Sequence, residues 1–169
     1  MPTKENQFLE LLQQHKGILH KVCRIYVSDE KDQRDLLQEI ILQLWSAYDS
    51  FRGDSQFSTW MYRVALNTAI VFYKKEARRQ RLFLPLSNEA LSKSISVVDD
   101  QKEQLVLFYK ALQELNKIEK AVIFLYMQGL PGAEIAECLG ISPQNARVRI
   151  NRTKQKLQQI LKYMGYELG

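Results

Sequence analysis

Glycine and proline are scarce in this chain, at 7 and 4 in 169 residues. A fold of many short strands needs frequent turn formers, so the scarcity favours long helices. Histidine and cysteine occur twice each. Cys23 and Cys138 are too few and too scattered for a disulfide framework or a zinc signature, and Cys138 lies in an apolar helical pattern that marks a small core residue. His20 and Cys23 are one helical turn apart, but no second ligand pair follows, so neither a metal nor a cofactor is expected. No apolar run approaches the roughly 20 residues of a membrane span, and the N-terminus lacks a secretory signal. The expectation is a cytoplasmic protein with no direct membrane insertion. A phosphate-binding glycine loop and a nucleophile elbow are also missing, which argues against an enzyme.

What is present is a small basic surplus with an uneven distribution. Lys and Arg outnumber Asp and Glu by 24 to 19. Residues 1–80 carry 12 basic and 10 acidic side chains, whereas residues 105–169 carry 9 and 5. Between 142 and 156 the basic residues Arg147, Arg149, Arg152, Lys154 and Lys156 meet no acid at all. A second cluster, Lys74, Lys75, Arg78, Arg79 and Arg81, is opposed only by Glu76. Local cationic faces of this kind are the electrostatic footprint of nucleic-acid binding, although a solvated basic helix face has the same composition.

Hydrophobic periodicity predicts an all-α chain. One amphipathic helix is expected over 5–27, a second from Asp29–Asp32 to about Tyr48, and a third over 58–79. Its inner side is expected to carry Phe57, Trp60, Met61, Val64, Ala65, Thr68, Val71 and Phe72. Residues 49–55 are rich in turn formers. The period is lost over 80–100, around Pro85, which predicts a flexible linker between two small helical domains that move independently. Helices are expected again over 101–115, 117–128, 131–139 and 143–162. The domains are thus 1–80, a linker at 81–100, and 101–169.

The sharpest motif is Ile135-Ala-Glu-Cys-Leu-Gly-Ile-Ser142 followed by a basic helix. Two helices that cross closely need a small residue at the contact, and Ala136 provides it. Gly140 can take positive φ where the chain reverses. Ser142 suits an N-cap and Pro143 the first helical turn. This is a helix-turn-helix pattern, with Ala146, Ile150, Thr153, Leu157 and Ile160 facing inward. Gln144, Asn145, Val148 and Arg152 then face outward, where amide, guanidinium and apolar groups can meet base edges. Arg147, Arg149 and Lys154 fall at the flanks, where phosphates run.

The segments 130–142, 145–149 and 152–154 resemble the C-terminal domain of bacterial RNA polymerase sigma factors, which reads the minus-thirty-five promoter element. The N-terminal half carries the same resemblance. Asp35-Leu-Leu-Gln-Glu39 with Leu42, Leu44 and Trp45 is similar to the sigma segment that docks on the clamp helices of the polymerase largest subunit. Phe51 to Ala69 resembles the segment that recognises and opens the minus-ten element. Both halves occur in the right order, as in the small extracytoplasmic-function (ECF) group. Departures include Val71, where the family often has Asp, and Ala146 in place of a frequent Val. A Pro-containing turn is also replaced, by Asn116-Lys117.

The resemblance implies a non-enzymatic initiation factor with core polymerase, promoter DNA and an anti-sigma factor as partners. It places docking on the clamp helices on Asp35, Gln38, Glu39, Leu42 and Trp45, and it makes the flap region a further polymerase contact. Minus-ten recognition and melting fall to Arg52, Gly53, Asp54, Ser55, Trp60, Arg63, Asn67 and Lys74. Minus-thirty-five contacts fall to Gln144, Asn145, Arg147, Val148, Arg149, Asn151, Arg152 and Lys154. The rival reading is a helix-turn-helix regulator that acts on duplex DNA without serving as a polymerase subunit. It differs by binding its site tightly without polymerase.

Overall fold

The structure, a computed structural model, describes residues 1–82 and 100–165, with side chains described outside 73–100. The linker expected at 81–100 therefore lies almost wholly outside the described residues. Among the described residues eight α-helices follow one another: α1 Lys4–Gln14, α2 Lys16–Tyr26, α3 Glu30–Ala47, α4 Phe57–Leu82, α5 Asp100–Gln113, α6 Lys117–Met127, α7 Gly132–Leu139 and α8 Pro143–Tyr163. A single 3-10 turn, Tyr48–Ser50, ends α3, and no strand occurs among the described residues. The chain is all-α, as its periodicity predicts. None of the described helices is long and apolar enough to cross a membrane.

The single helix expected over 5–27 is instead two. His15 leaves the helical region at φ −112° and ψ 10°, and its N–H closes α1 on the carbonyls of Leu11 and Leu12. Gly17, a weak helix former, follows at once and lowers the penalty of the break. The break lets α1 turn back on α3. Phe8 is then buried, with its ring 5.0 Å from Trp45 and 5.1 Å from Tyr48. Periodicity alone could not see this, because the apolar spacing continues across the joint.

Elsewhere the boundaries follow local chemistry. The Asp29 carboxylate accepts from the Asp32 amide at 3.2 Å and starts α3. Asn116 and Glu119 form a reciprocal capping box at the head of α6, with both N–H···O distances to their partner backbones at 2.9 Å. Such caps satisfy amides that have no partner within the helix. The departure at Asn116-Lys117 is thus a replacement of one helix-start device by another.

Leu36, Ile40 and Leu44 of α3 are fully buried against α2 and α4, together with Leu19, Val22, Met61 and Ala65. In the C-terminal half, Leu112, Leu125, Ile135 and Leu157 fill the space between α5, α6, α7 and α8. Each such side chain contributes about 1.5–3 kcal/mol by leaving water. The two halves also touch each other, through α2 and α4 on one side and α5, α6 and α7 on the other. Where they touch, a polar seam joins them. The Tyr26 hydroxyl donates to the Lys117 carbonyl at 2.6 Å, and the Gln113 side-chain amide donates to the Ile25 carbonyl at 2.9 Å. Lys120, buried at the seam, donates to the Gln113 side-chain oxygen at 3.2 Å and lies 5.6 Å from the Tyr26 ring centre. The Arg24 guanidinium lies 4.0 Å from the Tyr109 ring centre, and Tyr62 meets Phe124 edge-on at 5.8 Å.

This contact corrects the inner-side expectation for α4. Tyr62, Leu66 and Ala69 are buried although the pattern assigned them no role, because α6 and α7 cover a second side of the helix. Val71, expected inside, is 53% exposed.

Candidate polymerase and nucleic-acid interfaces

Three exposed faces contain most of the expected functional residues. On α3, Asp35, Gln38 and Leu42 are exposed and Glu39 is half-buried. Leu42 is 59% exposed and Trp45 is 39% exposed. A large apolar pair beside carboxylates and amides is the composition of a docking surface that stays compatible with water when free. The face is pre-arranged. Glu39 accepts from the Gln43 amide at 3.1 Å, and Phe8 and Tyr48 hold one side of Trp45. The Lys4 ammonium lies 5.0 Å from the Trp45 ring centre, a cation–π contact. The contributions of α1 were not legible in sequence, because they depend on the break at His15.

The second face is built from the loop after α3 and the start of α4. Arg52, Gly53, Asp54 and Ser55 are all exposed. Gly53 has φ +78°, a conformation that side chains with a Cβ rarely adopt. The loop is anchored by Phe51, whose ring lies 5.3 Å from Trp60 and 5.6 Å from Phe57. Trp60 is half-buried and also contacts Phe57 at 5.5 Å, so it serves as a post on which the loop rests. Arg63 and Asn67 project from α4 one turn apart, both exposed. Ile70, the next step along that side, is half-buried, and the side chain of Lys74 lies outside the described set. Burial pushes the Cys138 thiol of α7 upward, Glu137 beside it adds to the rise, and the Arg63 guanidinium of α4 opposes it.

The third face is α8. Gly140 ends α7 at φ 66°, and the Ser142 hydroxyl accepts from the Asn145 amide at 3.1 Å to start α8. Pro143 occupies the first turn. Each device expected of the helix-turn-helix is therefore present. Ala146, Thr153 and Leu157 are buried, and Ile150 and Ile160 are half-buried. Gln144, Asn145, Arg147, Val148, Arg149, Asn151 and Arg152 are exposed, with Val148 at 44%.

Hydrogen bonds refine this face. The Arg149 Nε donates to the Asn145 side-chain oxygen at 3.2 Å, so a residue expected to read bases and one expected to meet phosphate act as a unit. Lys156 is engaged by Glu119 at 2.9 Å and turns toward α6. Lys154 donates to the hydroxyl of Tyr126 at 3.1 Å. Tyr126 escaped the sequence reading because it lies within the apolar run of α6 and looks like core there.

Comparison with known proteins identifies the family. Residues 11–79 match the model for Sigma-70 region 2, and residues 105–157 match that for Sigma-70, region 4. The RNA polymerase sigma factor NccH of Alcaligenes xylosoxydans xylosoxydans is 26% identical over 160 residues, covering 91% of this chain and 86% of the relative. The ECF RNA polymerase sigma factor SigM of Mycobacterium tuberculosis is 27% identical over 160 residues, covering 93% and 78%. In fold, the chain is similar to the sigma factor RpoE, solved in complex with the anti-sigma factor NepR from Bartonella quintana. That match has a TM-score of 0.71 and 22% identity, over 92% of this chain and 97% of the other. With region 2 in the half that bears the α3 and α4 faces and region 4 in the half that bears α8, the chain belongs to the sigma-70 family, in its ECF group, and is a promoter-specific initiation factor that binds core RNA polymerase.

Proposed function

We propose that this sigma factor divides promoter recognition between its halves, residues 1–80 acting on the minus-ten element and residues 101–169 on the minus-thirty-five element. In this reading Asp35, Gln38, Glu39, Leu42 and Trp45 dock on the clamp helices, and the C-terminal half approaches the flap region. The outer face of α8 lies in a duplex groove, with Gln144, Asn145, Val148 and Arg152 toward base edges and Arg147, Arg149, Asn151 and Lys154 toward the backbone. Arg52, Gly53, Asp54 and Ser55, with Trp60 behind them, form a pocket for an unpaired minus-ten base. Arg63, Asn67 and Lys74 track the strand that leads to it. Unstacking a base costs a few kcal/mol, which a fitted pocket offsets, so melting is driven by binding and the polymerase supplies the active site.

The observation that carries this reading is the outer face of α8: seven exposed positions from Gln144 to Arg152 with donors, one apolar contact and no carboxylate. A cytoplasmic location follows from the task, since both polymerase and promoter are there. An anti-sigma factor is the expected inhibitor, supported by the complex in which RpoE was solved. The test is transcription by core polymerase plus this chain on a genomic promoter library. Specific start sites that vanish with Arg152→Ala are the expected result. Tight palindrome binding by the chain alone, with no start sites, would restore the duplex regulator.

A further inference from the structure

We infer that Tyr126 is a positioning residue for DNA-backbone recognition, holding Lys154 so that the two together present one site for a duplex phosphate. The inference rests on the reading of α8 as the duplex-binding helix and adds to it a residue from outside the helix-turn-helix. Tyr126 is the penultimate residue of α6 and 42% exposed, although it directly follows a buried run from Lys120 to Leu125. Core packing therefore does not account for its ring.

Two contacts account for it. The Lys154 ammonium donates to the Tyr126 hydroxyl at 3.1 Å, and it also stands 4.6 Å from the ring centre. A lysine on a solvated helix normally samples many rotamers, and fixing it loses side-chain entropy. Here the phenol fixes it before DNA arrives. The chemistry of the pair then suits an anion. A hydroxyl that accepts from an ammonium keeps its own proton to donate, and the ammonium keeps two further N–H groups. Both donors can converge on the oxygens of one phosphate. The neighbouring cation, Lys156, supplies the contrast. It is engaged by Glu119 at 2.9 Å, so its charge is compensated within the protein. Of the two lysines on this part of α8, Lys154 is the one held by a neutral partner that leaves its charge free to act.

The experiment uses holoenzyme assembled from core polymerase and the full chain, on promoter fragments that the wild-type holoenzyme selects from sheared genomic DNA. Binding is measured against salt concentration, because each phosphate neutralised steepens the slope of log affinity against log salt by about one unit. Lys154→Ala should reduce the slope by about one. Tyr126→Ala should reproduce most of that reduction although no charge is removed, which a purely structural role would not do. Tyr126→Phe keeps the ring and should keep the slope, while lowering affinity about threefold on every fragment alike through the lost hydroxyl. Thermal unfolding of each variant shows that the fold is retained, and Tyr126→Phe serves if the alanine variant does not fold. Wild-type slope and affinity in both tyrosine variants, beside a weakened Lys154→Ala, would overturn the inference. Unchanged affinity in Tyr126→Phe alone would remove the hydroxyl from the phosphate site. Arg152→Ala separates this failure from that of the underlying reading. If neither Arg152→Ala nor Lys154→Ala alters binding, α8 is not the duplex helix and the inference falls with it.

Discussion

The α4 and α8 faces differ in how the protein prepares them. The helix α8 buries one stripe and leaves a broad outer surface from Gln144 to Arg152 in water. Over its described side chains the helix α4 is covered on two sides, by α2 and α3 of its own half and by α6 and α7 of the other, and its exposed positions form a narrow strip of Arg63, Asn67 and Val71. A broad convex face can enter a duplex groove as it stands. A narrow strip beside a glycine-containing loop suits a single strand that comes to it. The first is specified by local rules, the second by packing, and variants should separate them.

The largest effect is expected away from both proposed DNA faces, at the proposed polymerase-docking surface of α3. Leu42→Asp places a charge where an apolar group, 59% exposed, is available for burial against a partner. A central interface residue of this kind accounts for about 2–4 kcal/mol, so core binding should weaken by on the order of 100-fold. The variant should unfold at the wild-type temperature. Glu39→Lys should act in the same direction. Unchanged affinity for core in a competition assay would move the docking site elsewhere.

Next comes the contrast between the two DNA faces. Arg152→Ala should lose about 1–3 kcal/mol of upstream-element binding, roughly the value of one base contact. Asn145→Ala should change which sequence is preferred and should also release Arg149, its hydrogen-bonded neighbour. A panel of promoter variants decides this, and an identical profile for Asn145→Ala would exclude direct readout. Asn67→Ala should leave core binding and upstream contact intact while reducing open-complex formation severalfold. Permanganate footprints of unpaired thymines, compared at equal occupancy, are the measurement. Supplying a pre-melted bubble should restore only part of the signal, because base capture is still impaired. Equal footprints on both templates would return Asn67 to a surface role.

The smallest effect concerns the seam and core at alkaline pH. Burial pushes the Cys23 thiol up to about 12 from its ordinary 9.0, and it also raises Cys138, Tyr26 and Tyr62. Such groups stay protonated in the folded chain while the unfolded chain loses their protons. Their stabilisation is therefore intact below pH 9 and declines as pH rises through the ordinary thiol and phenol range. Lys120 acts in the opposite sense: burial lowers its pKa, so its neutral form becomes progressively easier to bury as pH rises toward 10.5. Four groups against one predict a net fall in unfolding temperature above about pH 9. Replacing both cysteines by alanine should delay the onset toward the tyrosine range. A flat profile to pH 11 would mean that these side chains are hydrated in solution and that the seam opens readily.

Much of this molecule was legible before any coordinates. The all-α class followed from apolar spacing, and the helix-turn-helix from residues with separate local duties: Ala136 at the crossing, Gly140 at φ 66°, Ser142 as cap and Pro143 in the first turn. Local duties are visible in sequence because the partner of each residue lies only a few positions away. The acidic and apolar face of α3 was visible for the same reason, since residues three and four apart share a helix side.

What tertiary structure alone decided lies where partners are distant in sequence. The periodicity of 5–27 runs unbroken through His15, and only the burial of Phe8 on Trp45 and Tyr48 shows why the helix divides there. Burial of Tyr62 and Leu66 depends on a second layer of helices that no single-helix pattern contains. Tyr126 is indistinguishable from core by spacing, and is set apart only because Lys154, 28 residues later, is brought to its hydroxyl. Helical period reports which side of a helix is apolar. It cannot report how many sides the rest of the chain will cover, because that is set by contacts between segments far apart in sequence.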